Sequence, residues 1–277
     1  MIDGNTELIA HIGYPTHAFR APLIYNPWFD AKGINAIVVP MACQSPDYPA
    51  FLRSVFQLAN IRGALITMPH KVSTVALLDD VLPAAAIAGA CNAIRRLPDG
   101  RLQGDMFDGE GFVRGLQRKG LQLKSATALV VGNGGVGSAI AASLAAAGVS
   151  RLGLYDLNSA STQGLAQRLA RHYPQLQIEQ GSNDPAGFEL VVNATPLGMN
   201  QGDAMPLDVS RLAASSWVGE VVMKTEMTAF LLAAQAQGCR IQLGSDMLFE
   251  QIPAYLEFFG FPQATPDELR KTAHAGN

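Results

Sequence analysis

Thr127-Ala128-Leu129-Val130-Val131-Gly132-Asn133-Gly134-Gly135-Val136-Gly137 is the stretch whose reading decides the fold. Thr127 to Val131 is a short, apolar, β-favouring run. It enters a glycine turn of the form G-x-G-x-x-G, and an alanine-rich helical stretch, Ser138 to Ala147, stops at Gly148. Strand, tight turn and helix in that order form the context in which this spacing binds a dinucleotide. Gly132 allows the turn, Gly134 lets backbone N–H groups approach a pyrophosphate, and Gly137 lets helix and strand pack closely. Asn133, Gly135 and Val136 complete the turn, and the helix N-terminus offers unpaired N–H groups to the anion.

Glycine-rich turns also occur as plain βα connections, so the residues that follow carry weight. Arg151 to Tyr155 reads as a second strand ending at Asp156, where an acidic residue meets the adenosine ribose in such folds. A carboxylate accepts from two ribose hydroxyls and repels a 2′-phosphate, so the expected cofactor is NAD, with NADP disfavoured. The other reading of Asp156 is a cap for the helix starting near Ser159.

The elements on either side alternate in the same way. Strands are expected at 7–12, 35–39, 64–68, 176–180, 190–193 and 217–222. Helices are expected at 23–32, 47–59, 71–78, 82–88, 109–119, 135–147, 159–171, 228–237, 246–259 and 267–274. A hairpin is expected around Pro98-Asp99-Gly100, since Asp-Gly is a turn signal. This alternation predicts an α/β protein with helix-covered parallel sheets. Two domains are expected: 1–105 with 245–277 as a substrate domain on a mixed or parallel sheet, and 106–244 as a Rossmann-type dinucleotide domain, with ligands in a cleft between them.

Composition narrows the classes. The 277 residues are 48% hydrophobic and 16% charged, with a formal charge of −3, which leaves no basic footprint for nucleic acid. No apolar run reaches transmembrane length, and Met1 to Asn5 lacks the basic and apolar regions of a signal peptide. Cys43, Cys91 and Cys239 are odd in number and widely spaced, which suits reduced thiols in a cytoplasm. His11, His17, His70, His172 and His274 form no ligand spacing, so no metal is expected. The expected partner is a small-molecule substrate, and the expected state a monomer or homodimer.

Chemistry in such folds gathers just after strands. Lys71 lies in Thr67-Met68-Pro69-His70-Lys71, on a strand-to-helix turn; its ordinary reading is a surface lysine. Asn92, in Gly89-Ala90-Cys91-Asn92, can satisfy local backbone, and Asp108 can serve as an N-cap. Taken singly, none of these decides anything.

Taken together and in this order, the motifs resemble the shikimate dehydrogenase family over nearly the whole chain. The family's V-T-x-P-x-K is matched by Ile66 to Lys71, its G-A-x-N-T by Gly89 to Ala93, and its G-x-N-T-D-G-x-G by Gly104 to Gly111. Its N-A-T-x-x-G appears as Asn193-Ala194-Thr195-Pro196-Leu197-Gly198, and its G-x-x-M-L-x-x-Q as Gly244 to Gln251. The resemblance implies reversible hydride transfer between a ring alcohol and its ketone. It makes Lys71 and Asp108 the catalytic pair, with Asn92, Thr67 and Gln251 on substrate hydroxyls. Asn193, Thr195, Pro196 and Gly244 fall to the cofactor side. Hydride leaves a carbinol carbon only as the hydroxyl proton is removed, so a proton acceptor within hydrogen-bond reach is required. Both Lys71 and Asp108 remain candidates for that transfer.

The pattern breaks at two places. The family's G-x-P-x-x-H-S-x-S-P stretch, whose serines bind the substrate carboxylate, reads Gly13-Tyr14-Pro15-Thr16-His17-Ala18-Phe19-Arg20-Ala21-Pro22. Phe19 and Ala21 replace the serines, and Met223 stands where a tyrosine usually helps. Hydrogen bonds to a charged group contribute about 1.5–3 kcal/mol each, so affinity for shikimate is expected to fall by orders of magnitude. Arg20 either compensates as a bidentate carboxylate binder or points to solvent. Second, the N-R-T stretch whose arginine holds the NADP 2′-phosphate is replaced by Tyr155-Asp156-Leu157, as in the quinate-type, NAD-preferring branch.

Three functional readings follow. The first is an NAD-dependent dehydrogenase of shikimate, quinate or a related cyclic polyol acid, with altered substrate preference. The second is an NAD(H)-binding sensor without turnover, and the third a different two-domain reductase, against which Thr67, Asn92 and Gln251 argue.

Overall fold

A computed structural model describes residues 2–17 and 19–275, and of His274 and Ala275 only the backbone. Ala18, inside the altered serine stretch, and the His274 side chain lie outside the described residues. The chain divides into two compact units, Met1–Phe107 with Ile252–Asn277, and Asp108–Gln251.

The first unit holds β1 (Glu7–Gly13), α1 (Ala21–Ala31), β2 (Ala36–Ala42), α2 (Tyr48–Val55), β3 (Ile61–Ile66) and α3 (Lys71–Thr74). It continues with β4 (Asp80–Val81), α4 (Pro83–Ala88), β5 (Ala93–Arg96) and β6 (Leu102–Asp105). Its sheet runs β2-β1-β3-β5-β6-β4. β1 pairs parallel with β2 and β3, whereas β5 runs antiparallel to both β3 and β6. Pro22, Pro49 and Pro83 open α1, α2 and α4, positions whose missing N–H would have had no helical partner. Trp28 and Phe29 of α1, Leu52 of α2, and Ile9, Ile12 and Ile94 of the sheet are fully or almost fully buried and form the core of this unit.

The second unit opens with α5 (Asp108–Arg118), then β7 (Thr127–Val131), α6 (Gly135–Ala146), β8 (Arg151–Tyr155), α7 (Ser159–His172) and β9 (Gln177–Gln180). β10 (Leu190–Asn193), β11 (Trp217–Glu220), α8 (Ala229–Ala236), β12 (Arg240–Gln242) and α9 (Gly244–Phe259) follow; α10 (Pro266–Ala275) closes the first unit. The strand order β12-β11-β10-β7-β8-β9 is parallel throughout and reverses direction between β7 and β10. In a doubly wound sheet that reversal opens a crevice at the strand carboxyl ends. β7 and β10 are buried on both faces, which is why they read as unbroken apolar runs. α6 is buried from Gly137 to Ala145, and its small side chains admit α5: a Cβ on Gly109 would collide with the Ala139 carbonyl.

Two strands went unread in the sequence. β4 is two residues long and exists through its pairing with β6, while β12 is a polar edge strand. The bounds 1–105 with 245–277 also differ from this division. The chain returns to the first unit inside α9, just before Pro253, and a continuous helix offers no linker composition to mark the crossing.

Candidate functional site

The glycine turn divides into residues the fold requires and residues it does not. Gly132 has φ +96°, and a Cβ there would lie 2.7 Å from the Ala194 carbonyl carbon. Its N–H donates to Tyr155 O at 2.7 Å, and Ala194 N–H donates to Val131 O at 2.7 Å, tying the ends of β7, β8 and β10 together. A Cβ on Gly137 would fall on the Gly132 carbonyl oxygen. Gly134 and Gly135, by contrast, would point their Cβ atoms into open space. No packing demand explains two glycines there. Beside them lies a cavity of about 460 Å³ lined by Gly132, Gly134, Asp156, Leu157, Thr195 and Pro196, among others. Val136 is half-buried in the first turn of α6, whose N-cap, Gly134, supplies no side-chain acceptor.

Gly134→Ala is therefore expected to leave the fold intact, with the apo protein melting no lower than wild type, because its φ of −70° suits alanine. Dinucleotide affinity should fall about tenfold or more, equivalent to ~1.4 kcal/mol. Fluorescence titration and a thermal melt of the same variant check both halves.

Several candidate cofactor residues are occupied within the protein. Asn133 is buried; its Oδ1 accepts from Thr162 Oγ1 at 2.8 Å and its backbone N–H donates to Asp156 Oδ2 at 2.6 Å. The other Asp156 oxygen accepts from Asn158 N–H at 2.8 Å. Asn193 Oδ1 accepts from both Thr195 N–H, at 3.1 Å, and Thr195 Oγ1, at 2.6 Å, while its Nδ2 donates to Leu197 O at 3.0 Å. These bonds shape the turn after β10 and leave Pro196 exposed on the cavity rim. Gly244 opens α9 where a Cβ would strike the Val222 carbonyl, so packing alone accounts for it. Glu220, across the strand pair from Asn193, was not singled out in the sequence. It is fully buried, its Oε2 accepts from Thr228 Oγ1 at 2.9 Å, and its Oε1 has no partner. Burial raises its carboxyl above the usual carboxylate range, against the opposing pull of Thr228 and Asn193.

In the first unit the carboxyl ends of β1 and β3 come together with the start of β5. Thr67 N–H donates to Ile12 O at 3.0 Å, Tyr14 N–H to Met68 O at 3.0 Å, and Ile66 N–H to Asn92 O at 2.8 Å. Thr67 and Lys71 are half-buried, and Lys71 is the first residue of α3. His70 fixes that turn from beneath: its ring stacks on Tyr48 at 3.9 Å and its Nε2 sits 2.8 Å from Cys43 O. Asn92 is buried, and its Oδ1 accepts from Phe107 N–H at 2.9 Å, which fixes the direction of the carboxamide. Burial pushes the neighbouring Cys91 thiol up to about 12.

Phe19 lies against this set. Its ring stacks on His11 with centroids 4.0 Å apart, and a Cβ on Gly13 would touch Phe19, Thr67 and the Met68 carbonyl at once. Ala21 begins α1 and offers no hydroxyl; Arg20, at the N-cap position, is exposed and caps nothing with its side chain. His11 is missing from the sequence reading of the site, where the histidines were weighed only as metal ligands. The available signal was its place on β1, just ahead of the Gly13 turn. Burial, then the charge of Lys71, presses its imidazole down to about 4.

Asp108 and Gln251 belong to the second unit. Asp108 is a buried residue opening α5, and Gln251 of α9 packs where Gly111 leaves no room for a Cβ. Gln251 Oε1 is buried and without a partner, an acceptor suited to a substrate hydroxyl. Among the described residues no cluster of His, Cys, Asp and Glu could hold a metal ion, and no helix is long and apolar enough to cross a membrane.

The shikimate dehydrogenase substrate binding domain family matches residues 11–94, and the ThiF family residues 113–173. The chain is 32% identical over 278 residues to a shikimate dehydrogenase (NADP+) of Acidiphilium cryptum, covering 99% of this chain and 98% of that one. It is 34% identical over 254 residues to a shikimate dehydrogenase (NADP+) of Rubrobacter xylanophilus, covering 90% and 89%. Among solved structures, the shikimate 5-dehydrogenase of Listeria monocytogenes in complex with shikimate and NAD has the same fold. Its TM-score is 0.91 at 24% identity, over 98% of this chain and 97% of that one. The names of both curated relatives overturn the expectation of NAD over NADP. A preference for NAD requires Asp156 to face the ribose as a free carboxylate. Both of its oxygens are instead held by the backbone N–H groups of Asn133 and Asn158, so the residue's presence is explained by the turn it closes.

Proposed function

The chain belongs to the shikimate dehydrogenase family, and from that premise we propose that it is a shikimate-type oxidoreductase interconverting a cyclic polyol and its ring ketone with NADP(H). The observation that carries the cofactor half is the pair of glycines, Gly134 and Gly135, whose Cβ positions are open although nothing in the fold requires glycine there. NADP(H) supplies or accepts the hydride when bound. The α6 N-terminus would hold its pyrophosphate, with Thr195 and Pro196 on the rim of the same cavity.

On the substrate side, Lys71 is assigned proton exchange with the carbinol oxygen, and Asp108 is the second catalytic residue. Thr67, Asn92 and Gln251 are assigned to ring hydroxyls. Gln251 Oε1 supports this, because a buried acceptor without a partner is satisfied once a hydroxyl donates to it. The acid-recognition end is altered: Phe19 and Ala21 supply no donors, which lowers preference for shikimate itself by about 100-fold or more.

The test is a spectrophotometric panel of ring ketones and ring alcohols, with and without a carboxyl group, run with NADPH or NADP+ and repeated with the non-phosphorylated cofactor. NADPH-dependent turnover of at least one pair is expected. Binding of NADPH with no absorbance change across the panel would replace this reading with that of a dinucleotide-binding sensor. Turnover with the non-phosphorylated cofactor alone would overturn the cofactor assignment.

A further inference from the structure

We propose that the stacked Phe19 and His11 form the specificity-determining wall beside Thr67, and that this wall selects ring polyols and ketones carrying no carboxylate at that end. The inference rests on the reading of the chain as a ring-alcohol oxidoreductase and names the substrate class for that site.

Three observations within the first unit converge. Phe19 is held in place rather than loosely attached: its ring lies on the His11 imidazole at 4.0 Å with 27° between planes, and it abuts Gly13, whose other near neighbours are Thr67 and the Met68 carbonyl. An aromatic face presents the negative side of its quadrupole, which suits the C–H groups of a polyol ring and repels an anion. Next, the donors an anion needs are missing. Ala21 has no hydroxyl, and Arg20 is exposed and makes no side-chain cap. His11 does not replace them, because burial and the nearby Lys71 charge keep its imidazole neutral at physiological pH. Neither Phe19 nor Ala21 offers a donor to offset the cost of desolvating a carboxylate there.

Last, His11 Nδ1 is a buried ring nitrogen with no hydrogen-bond partner. A hydroxyl both donates and accepts, so it satisfies that nitrogen in either tautomer, whereas a carboxylate does so only when Nδ1 carries the proton. The wall therefore fits a hydroxyl-bearing or C–H-rich edge of a neutral ring. It disfavours a carboxylate, because the two serine hydroxyls of the family's pattern are replaced by Phe19 and Ala21.

The experiment compares binding of quinate with binding of the same ring lacking its carboxyl group, a cyclohexanetetrol, by calorimetry in the presence of NADP+. Wild type should prefer the tetrol by about tenfold or more, and Phe19→Ser/Ala21→Ser should reverse the order by a similar factor. Melting curves establish that each variant is folded. Wild-type binding of quinate as tight as, or tighter than, that of the tetrol overturns the proposal, and this arm stands even where the double variant does not fold. An unchanged order in a folded double variant also overturns it. NADPH turnover, measured alongside, separates the two levels. The binding order without any turnover sinks the enzymatic reading and leaves the wall, whereas turnover favouring the carboxylated ring sinks the wall and leaves the enzyme.

Discussion

Lys71→Met is expected to lower kcat by about 10²–10⁴-fold while KM changes only a few-fold, the signature of losing a proton donor and acceptor rather than a binding contact. Backbone hydrogen bonds hold the turn that presents Lys71. Cys91 N–H donates to the Lys71 carbonyl at 2.9 Å, His70 N–H to Thr67 O at 3.0 Å, and Thr74 N–H to His70 O at 3.0 Å. The His70 ring is clamped between Tyr48 and the Cys43 carbonyl, and Tyr48 is anchored in turn on Thr74 at 2.7 Å. Methionine matches the lysine stem in length, so the melting temperature and NADP(H) affinity should match wild type. Steady-state kinetics, a melt and a cofactor titration on one preparation separate these effects. A variant keeping more than about a tenth of wild-type kcat would assign the proton to another group.

Gly137→Ala should be the most damaging single methyl addition in the dinucleotide unit. The new Cβ would fall on the Gly132 carbonyl oxygen and come within 3.1 Å of Ala194 Cβ. Gly132 sits at φ +96° between the ends of β7 and β10, where its N–H is already committed to Tyr155 O. Neither neighbour is a side-chain tip that can rotate away, so α6 must lift from the sheet. Overpacking of this kind costs about 3 kcal/mol or more. For a protein of this size that is a fall of roughly 6–12 °C in Tm. Loss of dinucleotide binding should accompany it, because the α6 N-terminus moves with the helix. Gly134→Ala is the matched control: the same chemical change, three residues earlier, into open space. Equal melting of the two variants would mean that the close approach of helix and strand at Gly137 is not what the glycine provides.

Much of this molecule was legible in one dimension. The bounds 127–131, 151–155 and 190–193 coincide with β7, β8 and β10; β7 and β10, at the centre of the parallel sheet, are buried on both faces and read as near-continuous apolar runs. The helix α6 likewise follows from local composition and from Gly148 at its end, whereas the N-cap of α7 is Asn158 rather than Asp156. The candidate site was legible only through motif order, since Lys71, Asn92 and Asp108 each have an ordinary structural reading in isolation. β4 escaped because two residues have no pattern of their own, and β12 because an edge strand need not be apolar.

The sequence by itself determined the α/β alternation, the doubly wound sheet built around the glycine turn, and the family to which the ordered motifs point. These depend on local periodicity and on spacing along the chain. Only the tertiary structure decided how individual polar and aromatic groups are used: Asp156 committed to two backbone amides, Glu220 buried with one orphaned oxygen, Phe19 laid on His11. Each depends on a partner brought in from elsewhere in the chain. A carboxylate, an imidazole or a ring has no fixed role until the fold supplies the atom it faces.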